Sequence, residues 1–146
     1  MIYIDTSALV KLYFLEEGSD FVQSRVSAQD DPLPIWELQE AELANALHLK
    51  VFRNELTFEE AGNQLGHFRD RVKRGLYFFP EIHRADLMDT FHRLSRETPG
   101  TGCRTMDILH VACALQIESC RFLTFDERQR GLAGLAGLPL IEPGEA

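Results

Sequence analysis

Apolar residues follow two different spacings along this chain. Ile2-Tyr3-Ile4, Ile35-Trp36, Leu76–Phe79, Arg121–Thr124 and Leu138–Ile141 are short runs rich in β-branched or aromatic side chains, and they predict strands. Between them the apolar residues recur at helical spacing. That pattern predicts helices over Ala8–Tyr13, Ser19–Ala28, Leu38–Arg53, Thr57–Arg74 and Ala85–Arg96, then from Thr105 to about Ser119, and a last one from Asp126. Punctuation supports these bounds. Asp5 or Thr6 can cap the first helix and Gly18 closes it. Thr57 with Glu60 three residues on is a helix-start signature, and Gly75 is a stop. Pro99-Gly100-Thr101-Gly102 predicts a loop, Thr105 a cap, and Asp126 with Gln129 a capping box.

Strands alternating with helices predict an α/β fold with a mainly parallel sheet. No internal repeat, low-complexity tract or linker interrupts the 146 residues, so one domain is expected. Ligands of open parallel sheets sit beyond the carboxyl ends of the strands, and Asp5 and Asp126 both fall at such ends.

Composition narrows the function classes. Hydrophobic residues make up 45% and charged residues 26%, ordinary for a globular protein able to bury a core. No apolar run is long enough to span a membrane. The opening Met-Ile-Tyr-Ile-Asp lacks a leader's basic and apolar segments, so a chain that enters a strand at once is expected. Cys103, Cys113 and Cys120 are odd in number and lack CxxC spacing, which argues against a disulfide framework or a zinc site and favours a cytoplasmic setting. The net charge of −8 is unevenly spread: both ends are acidic, while residues 61–104 carry 8 basic and 5 acidic side chains. Charge runs are usually solvated faces. The alternative is that acidic termini meet at a metal while a basic middle approaches phosphate, with Arg69, Arg71, Lys73 and Arg74 tracking the backbone.

Four carboxylates carry the candidate chemistry, each beside a plain structural role. Asp5 and Asp126 can simply be N-caps. Glu42 lies on a partly apolar helix face, with Glu37 and Glu40 as nearby rivals. Asp107 opens Asp107-Ile108-Leu109-His110-Val111-Ala112-Cys113-Ala114-Leu115, apolar almost all round. It can meet the helix dipole, or sit at a buried mouth where a cation offsets its desolvation. His110, one turn on, is read as a hydrogen-bonded core residue or as orienting that aspartate. Carboxylates this close raise each other's pKa unless a cation intervenes, and all-oxygen ligands suit Mg²⁺ or Mn²⁺. Such ions polarise phosphoryl oxygens and activate water. There is no Walker loop, GxGxxG motif or Ser-His-Asp arrangement.

These residues resemble a known family. Ile4–Tyr13 is similar to the opening of PIN-domain proteins, in particular the VapC-type toxins of toxin–antitoxin pairs. Glu42–Leu47, Asp107–Ala112 and Leu123–Arg128, with the Gly137–Ile141 ending, resemble their second, third and fourth acidic motifs in order. The resemblance implies a three-layer α/β/α PIN-like domain over residues 1–146 and Mg²⁺- or Mn²⁺-dependent endoribonuclease activity. It implies Asp5, Glu42, Asp107 and Asp126 as metal-binding catalytic residues, with Ser7 and Thr124 as supporting polar groups. It also implies a homodimer, an RNA substrate and inhibition by a cognate antitoxin. One departure is Trp36-Glu37-Leu38-Gln39-Glu40, where many relatives carry Ser or Thr. Two other classes are alternatives. Haloacid-dehalogenase-like phosphatases also start from an aspartate after a first strand, but want a second aspartate where this chain has Ser7. A non-catalytic PIN-like binding module would bind no metal.

Overall fold

The computed structural model describes residues 1–118 and 120–144. Ser119, where the helix from Thr105 is expected to end, lies outside the described residues. The chain divides into two compact units: residues 1–5 with those from Pro80 onward, and Thr6–Phe79.

In the first unit, β1 (Ile2–Ile4) pairs in parallel with β4 (Arg121–Leu123). Every residue of β1 is buried, so its all-apolar composition is that of a strand covered on both faces. Tyr3 stacks on Phe122 with centroids 5.5 Å apart and planes 8° from parallel, adding about 0.5–1.5 kcal/mol beyond area burial. The expected terminal strand contracts to one parallel bridge, Phe122 to Leu140, where Ile141 N donates to Phe122 O at 2.9 Å.

Helix α5 (Arg84–Leu94) of this unit packs against α7 (Thr105–Leu115), and α7 against α8 (Glu127–Leu135). Between α5 and α7, Pro99-Gly100-Thr101-Gly102 is not the expected loop. Thr98–Thr101 forms a helical turn, α6. Proline is tolerated there because a first-turn N–H has no helical partner to lose. Gly102 closes the turn at φ 69°, a left-handed backbone that suits glycine.

The second unit holds α1 (Thr6–Val10), α2 (Ser19–Ser27), β2 (Leu33–Pro34), α3 (Glu37–Phe52), α4 (Phe58–Lys73) and β3 (Tyr77–Phe78). Helix α1 is shorter than expected. Lys11, Leu12 and Tyr13 continue it as tighter turns bonded three residues back, and Gly18, at φ 87°, lies at the start of α2 rather than ending α1. The strand expected at Ile35-Trp36 is centred two residues earlier. Leu33 N and Ile35 N donate to Leu76 O and Phe78 O, so the missing N–H of Pro34 falls on the side turned away from β3. Trp36 is instead the N-cap residue of α3.

Helix α4 follows its sequence signals. Thr57 Oγ1 accepts from Glu60 N at 3.1 Å, and Gly75, at φ 74°, follows its last turn. Leu76 N donates to Arg71 O at 3.0 Å, the 6→1 closure that a glycine in this position permits. Tyr13, Phe68 and Tyr77 cluster between α4 and β3, and the Tyr13 and Tyr77 hydroxyls are 2.7 Å apart. Among the described residues every strand pairing is parallel, as an α/β fold requires.

Candidate metal and nucleic-acid site

Asp5 follows the last residue of β1 and is 4% exposed. Its backbone N donates to Leu123 O at 3.2 Å, which extends the ladder and fixes where its side chain begins. A carboxylate so buried needs partners. Thr124, one residue past β4, supplies one: its Oγ1 donates to Asp5 Oδ2 at 2.9 Å. The same hydroxyl accepts from Asp126 N at 3.0 Å. Thr124 therefore ties the two aspartates at neighbouring strand ends.

Asp126 is the N-cap of α8, and its Oδ1 accepts from Gln129 N at 3.0 Å. The expected capping box is not completed. The Gln129 side chain is buried and turns to α7, where Nε2 donates to Asp107 O at 3.3 Å. Asp107 lies in the first turn of α7 and is 8% exposed. Arg104, not Thr105, takes the N-cap place, and its backbone N donates to Asp107 Oδ2 at 2.8 Å. The Arg104 side chain then reaches both acids, with Nε 3.4 Å from Asp107 Oδ2 and Nη2 4.0 Å from Asp126 Oδ2.

Asp5, Thr124, Asp126, Arg104 and Asp107 thus form a connected set within the first unit. Their field reaches Cys103: burial pushes its thiol up, and Asp107 and Asp126 push it further. His110, buried one turn along α7, is the core residue: its Nδ1 is 2.8 Å from the Tyr3 hydroxyl.

The second unit holds the other expected residues. Glu42 is half-buried in α3 and accepts from Thr6 Oγ1 at 2.8 Å. Of its rivals, Glu37 is exposed and Glu40 half-buried. Ser7 lies half-buried in α1. Arg69, Lys73 and Arg74 are exposed on or just beyond α4. Arg71 turns inward instead. Its guanidinium lies 4.9 Å from the Tyr13 ring centroid, and Nη1 donates to Tyr77 at 3.3 Å.

Sequence reasoning missed Arg104 and the bond from Thr6 to Glu42.

The donor set decides which cation would suit the site. Asp5, Asp107 and Asp126 offer hard oxygen ligands of the kind Mg²⁺ and Mn²⁺ take, with no thiol or imidazole among them. Among the described residues, no three His, Cys, Asp or Glu side chains are posed closely enough to hold a metal ion together. Between Asp107 and Asp126 the positive charge is supplied by Arg104.

No helix among the described residues is long and apolar enough to cross a membrane. No curated protein matches the chain. A family model described as PIN domain matches residues 2–135.

Proposed function

Because the chain belongs to the PIN-domain family, whose members are generally nucleases using divalent metal ions, we propose that it is a Mg²⁺- or Mn²⁺-dependent endoribonuclease, the toxin of a VapC-type toxin–antitoxin pair. The observation that carries this reading is the linkage of Asp5, Asp126 and Asp107 through Thr124, Arg104 and Gln129. Three separate capping aspartates would not need a shared hydroxyl and a shared guanidinium.

Asp5, Asp107 and Asp126 would hold the metal, and Glu42 is proposed as the fourth acid on the strength of the family motif. A bound divalent ion would polarise a phosphoryl oxygen and make a water easier to deprotonate, and so nucleophilic toward phosphorus. The chain's own part is orientation. Thr124 holds Asp5 by Oδ2 and sets the Asp126 backbone, so two ligands are placed by one buried group. Supporting hydrogen bonds of this kind reduce what must be reorganised when substrate arrives. Asp126 Oδ1 is committed to the α8 cap, which leaves Oδ2 toward the site. Single-stranded or looped RNA suits such a site, because an unstacked strand exposes its phosphates. Arg69, Lys73 and Arg74 would follow that backbone. We read residues 1–146 as one PIN-like domain that works as a homodimer and is silenced by a cognate antitoxin.

Incubation with a labelled single-stranded RNA and Mn²⁺ tests the assignment. Asp5→Asn and Asp107→Asn should each abolish cleavage and growth inhibition while circular dichroism stays that of the wild type. Full cleavage by both purified variants would sink it.

A further inference from the structure

Arg104 is the unexplained cation of this site. Its side chain is 78% exposed, so it is not held by packing. Only its head group is engaged, at 3.4 Å from Asp107 and 4.0 Å from Asp126. Both distances exceed the roughly 2.7–2.9 Å of a tight charge-assisted bond, so the guanidinium is close enough to neutralise the pair and loose enough to leave. The oxygen it faces on Asp126, Oδ2, is the one not committed to capping α8. That is also the oxygen a metal ion would require.

We propose that Arg104 is a positioning residue of the metal site: it serves as counter-ion to Asp107 and Asp126 in the metal-free protein and competes with the divalent cation for them. This inference rests on the reading of those aspartates as metal ligands. The physical case is one of charge. Without a cation, the two carboxylates repel each other. A guanidinium between them removes that repulsion with a planar fork suited to carboxylates. A divalent ion entering the same space meets a positive charge within about 4 Å and is repelled by it. The arginine must then swing outward. A side chain 78% exposed can do so without opening a core.

Mn²⁺ binding measured by calorimetry without RNA, at low ionic strength, tests this on the folded protein, with thermal melting as a control. Arg104→Gln should bind Mn²⁺ about fivefold more tightly than the wild type, the scale expected for an exposed ion pair facing a divalent competitor. Arg104→Lys keeps the charge and should stay near the wild type. If Arg104 merely braced the site, Arg104→Gln would bind more weakly. Unchanged or weaker binding by a normally melting Arg104→Gln therefore overturns the proposal and leaves the metal reading intact. Absence of Mn²⁺ binding in every form at millimolar concentration overturns both. A second measurement needs no variant: titrating the wild type with Mg²⁺ should shift the Arg104 Nε–H resonance, and an unmoved resonance overturns the competition.

Discussion

Thr124 stands 119 positions from Asp5 in the chain, yet its hydroxyl donates to Oδ2 of that aspartate at 2.9 Å. The hydroxyl is used twice, since its oxygen also accepts from Asp126 N. Thr124 is 1% exposed, so no water can readily replace it.

Thr124→Val keeps the shape and removes both bonds. It should destabilise the protein by about 2–3 kcal/mol, the scale of losing one hydrogen bond to a buried charged acceptor and one from a backbone donor. Urea unfolding checks this. Thr124→Ser retains the hydroxyl and should recover most of the loss. Equal stability of wild type and Thr124→Val would mean that the bond does not hold the strand ends together.

Stability should fall on the alkaline side. Burial pushes the Cys113 thiol up to about 12, and it pushes the Tyr13 phenol well above its ordinary value, with Tyr77 adding to the rise and Arg71 opposing it. Both groups bind protons more tightly when folded than when unfolded. As pH rises, the unfolded chain therefore releases its protons first, and folding loses ground from about pH 9 upward. Each such group steepens the fall by up to about 1.4 kcal/mol per pH unit between its unfolded and folded values. Urea midpoints measured from pH 7 to 11 should show the decline, and Tyr13→Phe should make it shallower above pH 10. A flat profile would contradict the burial of these groups.

RNA affinity offers a separate check on the basic end of α4. Lys73→Gln and Arg74→Gln should each weaken binding of a non-cleavable RNA across sequences and reduce the slope of log affinity against log salt by somewhat under 1. Arg71→Gln should behave differently. Its charge is spent on Tyr13 and Tyr77, so melting temperature should drop more than the salt slope changes. Filter binding from 50 to 300 mM salt separates the two effects. Unchanged slopes for Lys73→Gln and Arg74→Gln would remove them from the RNA path.

Local signals in the sequence were good where one residue's chemistry decides the structure. Gly75 stops α4 because only a left-handed residue closes that turn, and Thr57 with Glu60 starts it. Asp126 caps α8 as its place after an apolar run suggests. The failures have a different origin. Pro34 suits β2 only because its missing donor faces away from β3, a parity fixed by the partner strand. Pro99 and Gly100 read as a loop by composition, but a single helical turn tolerates both. Gln129 was expected to serve its own helix and serves α7 instead, a choice made by burial. In the candidate site the acids were legible as residue types at strand and helix ends. Arg104 was not, because an arginine before a helix has no distinctive pattern until two acids are seen beside it.

The division of the chain also governs when its parts can form. Residues 6–79 make one unit by themselves, whereas the other joins the first five residues to those from Pro80 onward. During synthesis the first strand must therefore wait for its partner, since β1 pairs with Arg121–Leu123. Thr124 and Asp126 are synthesised more than a hundred residues after Asp5. Until then the bond from Thr124 to Asp5, and with it the tie between the two strand ends, cannot form. Ribosome-stalled chains ending before Phe122 should show a protected Thr6–Phe79 segment on limited proteolysis while Ile2–Asp5 remains open to cleavage.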